Sequence, residues 1–335
     1  MKAFELRDPF GVDSLKLVER PAPCAGPGQV LLKMKAFSIN YRDLLVVDGV
    51  GRWKPPRGRV PVSDGVGVVT ALGNGVSRVN VGDRVAPIFY PRWLEGKVAA
   101  EKMGHALGGA AADGVLAEYT VFDEASVVRV PAHLSDGEAA TLPCAGLTAW
   151  NALLTFGNIT PGDSIVVLGT GGVSIFALQF ARFRGARVIL TSSSDEKLER
   201  AKELGAAAVI NYRSKTDWPN VVVELTNGCG ADYVVDTVGG LKEAIAAVRL
   251  GGAVACVGLL RGMAVEVDLV TFMGRSARIE AVDVGSREMF EAMNRAIEFH
   301  AMRPVIDRVF GFTQLPEALD YLREARHFGK VCLRV

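Results

Sequence analysis

The sequence predicts an α/β protein in which a doubly wound parallel sheet domain is inserted within a mainly β domain. Three observations carry this. Residues 1–125 hold short β-rich runs broken by Gly, Pro, Asn and Asp; residues 126–267 alternate apolar strands with helical windows; residues 268–335 return to a mixed pattern. Partial polar–apolar alternation marks half-buried strands, whereas continuous apolar strands spaced by helices mark a parallel sheet covered on both faces. At 335 residues, and with roughly 100–200 residues per domain, two domains are expected. The order of the patterns makes one of them discontinuous, 1–125 with 268–335 around 126–267.

In chain order, Gln29 to Phe37 alternates in part as a half-buried strand should, Val66 to Ala71 is a second β-rich run, and Val79 to Ala86 reads as a turn feeding a strand. Pro91 to Gly114 is rich in Ala and Gly and has no clear assignment. Ser135 and Glu138 are spaced as a capping box, opening an apolar helical run that continues to Leu154. Strands are then expected at Ser164–Leu168, Val188–Thr191, Ala207–Ile210, Tyr233–Asp236 and Ala253–Val257. Helices are expected between them over 172–184, 195–204, 215–227 and 240–249. Helices near 286–302 and 314–326 and a strand from Lys330 to Val335 close the chain.

Composition narrows the function classes. Thirty-eight Lys and Arg against 37 Asp and Glu leave a net charge of +1, so nothing favours nucleic acid or an anionic membrane as partner. A small-molecule substrate is expected instead. The five cysteines, Cys24, Cys144, Cys229, Cys256 and Cys332, are dispersed with no C-x-x-C pair. That argues against a disulfide framework and against a four-cysteine zinc lobe. The first residues lack the apolar stretch of a signal peptide, and no uninterrupted apolar span reaches membrane length. A cytoplasmic protein is the expectation.

The sharpest local signal is Ile165-Val-Val-Leu168 followed by Gly169, Thr170, Gly171, Gly172, Val173 and Ser174 and then an apolar helix. Gly169 permits the tight turn, Gly171 lets backbone approach a pyrophosphate, and the helix N-terminus offers its N–H groups to phosphate. Ser174 stands at the third glycine position and is small enough for close packing. The pattern in this strand–turn–helix context predicts a dinucleotide site. An NAD site usually carries a carboxylate at the end of the next strand to hold the ribose 2′-OH. Here that strand runs into Ser192, Ser193 and Ser194, and Asp195 belongs to the following helix. Three hydroxyls with Lys197 nearby suit a 2′-phosphate, hence NADP(H). The bland reading of the same residues is a loop that caps a helix, beside a solvated lysine.

Together, Leu142-Pro-Cys-Ala-Gly-Leu-Thr-Ala-Trp150, the Gly169–Ser174 turn, Asn211-Tyr-Arg213, Gly65-Val-Gly-Val-Val69, Val81-Gly-Asp-Arg-Val85 and Gly329-Lys-Val-Cys-Leu333 resemble the medium-chain dehydrogenase/reductase superfamily across essentially the whole chain. Within it the sequence is most similar to the zinc-independent quinone oxidoreductase and enoyl reductase branch. That resemblance implies a Rossmann domain inserted in a split GroES-like catalytic domain, with NADPH-dependent reduction of a quinone or an activated double bond. It also implies that Lys197 and Tyr212 hold the adenosine 2′-phosphate and that Asn40, Cys144 and Thr148 lie near the nicotinamide end. Val238, Gly258 and Leu259 follow strand ends, where the cofactor of a doubly wound sheet lies. A homodimer is implied through a strand at Ala264–Asp268.

The zinc alcohol dehydrogenases of the same superfamily are the competitor. Their pattern needs a Cys between Phe37 and Asp43, a His-Glu pair before Gly65, and a Cys between Leu142 and Gly146. This chain has Asn40, then Ser63 and Asp64, and only Cys144. Catalytic zinc takes three protein ligands from Cys, His and carboxylate, so no metal site is expected. Charge must then be stabilised by hydrogen bonds. The resemblance makes Asn40 the leading candidate, since it matches an active-site Asn of the quinone reductase branch whose amide would bond the nicotinamide ribose or orient the substrate; a strand-ending turn residue is its plain alternative. Tyr41 is a candidate proton donor, and Cys144 reads as a buried thiol near the cofactor. Trp53, Phe89, Tyr90 and Phe272 are equally candidate pocket walls and ordinary core. Two alternatives stay open: a zinc-free alcohol or aldehyde dehydrogenase of the same fold, and a cofactor-binding protein without significant turnover.

Overall fold

A computed structural model describes residues 1–335 and divides them into two compact units, Met1–Leu147 with Val284–Val335, and Thr148–Asp283. The chain crosses between them later than the expected 125/126 and 267/268. At the first crossing, the helix opened by Ser135 packs on the β-rich unit. At the second, the parallel sheet gains one more strand after residue 268.

The first unit begins with β1 (Lys2–Leu6) and β2 (Leu15–Glu19), an antiparallel pair. It continues through β3 (Gln29–Ile39), α1 (Tyr41–Val47), β4 (Asp64–Leu72), β5 (Arg84–Pro87), α2 (Ala100–Met103), β6 (Tyr119–Asp123), β7 (Val127–Arg129) and α3 (Asp136–Ala140). The Ser135 and Glu138 box is formed: Ser135 Oγ accepts the Glu138 N–H at 3.3 Å, and Glu138 accepts the Ser135 N–H at 2.7 Å. The segment 142–156 is helical, as the apolar run predicts, but winds as two π-helical stretches, 142–146 and 151–156, on either side of α4 (Leu147–Trp150). Pro91 to Gly114 is mostly irregular, with only α2 inside it.

The second unit then runs β8 (Ser164–Leu168), α5 (Gly172–Phe183), β9 (Arg187–Ser192), α6 (Asp195–Glu203), β10 (Ala208–Asn211), α7 (Trp218–Leu225), β11 (Ala231–Asp236), α8 (Leu241–Ala247), β12 (Val248–Cys256), α9 (Leu269–Gly274) and β13 (Arg278–Ala281). Its six strands are all parallel, in the order β10-β9-β8-β11-β12-β13. Ile165, Val166, Val167 and Leu168 are buried together, as a strand covered on both faces requires. The predicted strand at Ala264–Asp268 does not form. That segment makes no ladder within the chain and is mostly exposed, because β13 takes the position beside β12.

The chain returns to the first unit with α10 (Arg287–Phe299), β14 (Ile306–Gly311), α11 (Leu315–Arg323) and β15 (Lys330–Arg334). Its main sheet is ordered β14-β15-β3-β4-β5-β7. The long strand β3 organises it: its first half pairs with β6, its last residues pair with β15, and β4 runs along nearly its whole length. Phe312 meets both Phe4 and Phe37 within this core in tilted contacts, with ring centroids 5.5 and 5.7 Å apart. Each such ring, fully buried, contributes about 1.5–3 kcal/mol. Registers of Ile39 with Val331 and Ser38 with Asp64 bring the ends of three strands to one place.

Candidate functional site

In the first unit that place is a buried polar cluster. Asn40 ends β3 and begins α1, Asp64 opens β4, and Lys330 opens β15. All three are buried, although Asp and Lys are almost never so unless paired. Lys330 Nζ donates to the Ile39 carbonyl at 2.8 Å and to Asn40 Oδ1 at 2.5 Å. Asp43, buried one helical turn along, accepts the Asn40 N–H at 2.8 Å and an Arg42 N–H at 3.3 Å. Arg42 also donates to the Leu107 carbonyl at 2.7 Å and lies over the Phe89 ring, 5.0 Å from its centroid.

Asp64 accepts the Ser63 hydroxyl at 2.7 Å and the Cys144 backbone N–H at 3.1 Å. Burial pushes its carboxyl up to about 6, against the pull of the Lys330 cation, the Ser63 hydroxyl and the Asn40 amide. Burial likewise raises Asp43 in spite of Arg42 beside it. Burial, and after it the Asp64 carboxylate, push the Cys144 thiol well above its ordinary value. A thiol so placed stays neutral and is no nucleophile. The Asn40 amide nitrogen Nδ2 is buried and makes no hydrogen bond of good geometry, although it lies near enough to Asp64 to favour the carboxylate.

Of the first-unit candidates, Asn40 and Cys144 belong to this cluster. Tyr41 does not: it is exposed, on the side of α1 that meets α11, close enough to the Arg323 guanidinium to raise its pKa. At roughly 100° per residue, Asp43 lies about 200° around α1 from Tyr41, on the opposite side of the helix. Phe89 and Tyr90 are core residues in edge contact at 4.7 Å, and Trp53 packs partly buried against the sheet core. Ser63, Asp43 and Lys330 were not expected at a site. Asp43 had a legible signal, since it stands three residues after an Asn that ends a strand. Lys330 had none, because its partner lies 290 positions away in sequence.

The donor set does not fit a zinc ion. No three His, Cys, Asp or Glu side chains come together in ligating positions. Both Asp64 oxygens already accept hydrogen bonds, so neither is a free ligand. Lys330 further supplies a cation at the Asn40 oxygen.

In the second unit the turn after β8 has the geometry a dinucleotide needs. Gly169 takes φ +80°, and a Cβ there would lie 3.2 Å from Val238 Cγ1. Gly171 is the N-cap of the 12-residue helix α5, and no side chain caps that end. Thr170 is buried, and Val173 lies in the first turn. Ser174 is fully buried; its hydroxyl donates to the Leu168 carbonyl at 2.9 Å and meets Thr237 Oγ1 at 2.9 Å. The serine therefore ties helix to strand rather than merely fitting between them. At the adjacent strand end, Asp236 Oδ1 accepts the N–H groups of Val238, Gly239 and Gly240 at 2.8–3.0 Å. A Cβ on Gly258 would fall 1.8 Å from the Thr237 carbonyl oxygen, so the Val238 and Gly258–Leu259 loops pass too closely for a side chain there. Thr148 is buried in α4, and Phe272 of α9 packs partly against the sheet core.

At the end of β9, Ser192 Oγ accepts the Ser194 N–H at 3.3 Å, and Ser194 caps α6 by accepting the Lys197 N–H at 3.4 Å. Ser193 and Lys197 are half-buried beside them. The Tyr212 N–H donates to the Ser192 carbonyl at 3.1 Å while its ring packs against the core. Asp195 is the first residue of α6, as expected, and accepts the Asn211 amide at 2.7 Å. Ser192, Lys197 and Tyr212 are thus gathered at the end of the second strand, with no carboxylate on that strand. The residues fit a nicotinamide dinucleotide: an uncapped helix N-terminus behind a glycine turn for the pyrophosphate, and hydroxyls with Lys197 for the adenosine end.

Comparison with known proteins finds family matches in both parts of the chain. Residues 26–132 match the alcohol dehydrogenase GroES-like domain and residues 172–298 the zinc-binding dehydrogenase domain. The chain is 41% identical to a zinc-type alcohol dehydrogenase-like protein of Schizosaccharomyces pombe, over 97% of this chain and 96% of that one. It is 33% identical to the 2-methylene-furan-3-one reductase of Solanum lycopersicum, over 99% of this chain and 79% of that one. Among solved structures, an NAD-dependent alcohol dehydrogenase superposes with a TM-score of 0.91 at 34% identity, covering 100% of both chains. The mycobacterial protein Rv1454c complexed with NADPH superposes at 0.83 with 26% identity, covering 100% of both chains.

Proposed function

Because the chain belongs to the medium-chain dehydrogenase/reductase superfamily, we propose that this oxidoreductase uses NADPH, without zinc, to reduce a quinone or an α,β-unsaturated carbonyl compound. The observation that carries this reading is the cluster around Asn40. Where the zinc alcohol dehydrogenases bind metal, this chain has an amide whose oxygen is held by Lys330 and whose nitrogen is a buried donor. Reduced nicotinamide, when bound, supplies the hydride. The protein's part is to donate an N–H from Asn40 to the substrate oxygen on which negative charge develops. A buried donor aimed beforehand is worth more there than in water.

Preference for NADPH rests on Ser192, Ser193, Lys197 and Tyr212 at the end of β9, with no carboxylate on that strand to hold a 2′-OH. The relative named as a furanone reductase supports a conjugated carbonyl substrate. The NAD-dependent structural relative favours the second reading, a zinc-free alcohol or aldehyde dehydrogenase. Oxidation of NADPH and of NADH, followed at 340 nm with quinones, enones, aldehydes and alcohols, decides between them. Turnover with aldehydes or alcohols alone, or preference for NADH, overturns the first reading. Failure of every substrate despite NADPH binding identifies a cofactor-binding protein without significant turnover.

The second unit also carries the surface on which a homodimer would form. Leu260, Met263, Leu269, Val270 and Met273 are exposed within one stretch, and β13 is an edge strand with one open side. Such an edge is self-complementary across a two-fold axis.

A further inference from the structure

We propose that Lys330 is a positioning residue that fixes the orientation of the Asn40 amide, its oxygen held at the ammonium and its nitrogen left as the donor end beside Asp64, an inference that rests on the reading of Asn40 given above. An asparagine amide has two nearly isosteric orientations, one presenting oxygen and the other nitrogen. Only one serves a reaction that develops negative charge on the substrate. Nothing in the local sequence of Asn40 selects it.

Lys330 does. Its ammonium has three donors and no acceptor, so the group facing it must be an oxygen. Nζ meets two, the Ile39 carbonyl at 2.8 Å and Asn40 Oδ1 at 2.5 Å. Flipping the amide would set an NH2 against an ammonium in a buried site and break the bond from Lys330 to Asn40. Drawing electron density toward Oδ1 also strengthens the N–H groups on the other end of the same amide. The lysine itself has little freedom. It is 3% exposed, its strand is in register with the end of β3, and the carboxyl groups of Asp64 and Asp43 lie within its electrostatic reach. A cation so held is a fixed part of the site, unlike a surface lysine, whose head moves in water.

The test compares the full-length wild type with Lys330→Met, Lys330→Arg and Asn40→Ala. Lys330→Met should lower kcat by about tenfold or more while leaving the Kd for NADPH within about twofold, with Lys330→Arg recovering most of the rate. Asparagine-selective 15N labelling reads the orientation without turnover: the Asn40 side-chain NH2 signals should shift and broaden in Lys330→Met and stay close to wild type in Lys330→Arg. Should Lys330→Met fail to fold, because it leaves Asp64 buried without its cation, Lys330→Met/Asp64→Asn measured against Asp64→Asn gives the same comparison. An unmoved Asn40 signal, or a kcat kept within about twofold, overturns the inference. If Asn40→Ala itself retains full turnover, the reading of Asn40 as the substrate's donor falls, and the positioning role falls with it. If only Asn40→Ala loses activity, the donor stands and the positioning role alone is lost.

Discussion

Lys197 is the residue whose replacement separates the two cofactors most directly. It stands at the start of α6 beside Ser192 and Ser193, and its own N–H is committed to Ser194. A charged hydrogen bond to phosphate is worth about 1.5–3 kcal/mol, so Lys197→Ala should raise the KM for NADPH by about 10- to 100-fold while changing that for NADH little. Equal effects on both cofactors would remove Lys197 from the 2′-phosphate site. Asp64 supports a second test, in stability. Its carboxyl is raised to about 6 in the folded protein from about 3.9 in an unfolded chain. The folded state therefore binds the proton more tightly, and this group's contribution is full below the unfolded value and lost as pH rises through about 6. Asp64→Asn should flatten that part of the stability curve, measured by urea denaturation between about pH 4 and 7, where the whole contribution is about 3 kcal/mol. An unchanged slope would show that Asp64 is not perturbed. These residues also mark how far a sequence can be read. Asn40 stands out through the family resemblance and Lys197 through its place after the second strand of the parallel sheet. No local feature marks Lys330 for the site, since only the pairing of β15 with β3 brings it to Asn40.

At the scale of elements, the β8 turn and α5 carry the firmest expectation, because a turn, its glycine and its helix are encoded within a dozen residues. Gly169 combines φ +80° with a Cβ position 3.2 Å from Val238. Gly169→Ala should cost about 1–2 kcal/mol for the left-handed conformation alone and weaken NADPH binding, read by thermal unfolding with and without cofactor. An alanine variant as stable as wild type, with normal affinity, would show that the turn does not depend on this glycine. The capping box of α3 is as local, and Ser135→Ala should cost about 1 kcal/mol in the same measurement, without altering cofactor affinity. The strands of the parallel sheet were legible for the same reason: burial on both faces leaves a run such as Ile165–Leu168 with no polar residue at all. What was not legible depends on neighbours. Ala264–Asp268 alternates like a strand, yet β13 pairs with β12 and leaves it without a ladder. The π-helical stretches around α4 likewise leave no mark in an apolar run. The crossings at 147/148 and 283/284 follow from which sheet α3 and β13 join, and composition does not carry that information.

At the scale of the whole molecule, the discontinuity of the first unit and the exposure of the second lead to different expectations. The cluster around Asn40 exists only because residues after the insertion return to β3, so the first 147 residues alone lack both Lys330 and Phe312, a ring that packs on Phe4 and Phe37. The second unit, by contrast, presents Val270 at 81% exposure and Met273 at 74% on α9, and its sheet ends at β13 with one side unpaired. Exposed apolar area of this kind is costly in water and marks an interaction site. A second copy of the same chain would cover it, if the β13 edge paired with itself and the apolar side chains of α9 met across the two-fold axis. Sedimentation velocity at micromolar concentration should show a dimer. Val270→Asp/Met273→Asp, which places two carboxylates in each half of the contact, should shift it to monomer while leaving the thermal unfolding of Lys330 and Asn40 variants in the same relative order. A wild-type protein that sediments as a monomer would refute the dimer. A double variant that stays dimeric would place the contact elsewhere on the surface, away from α9 and β13.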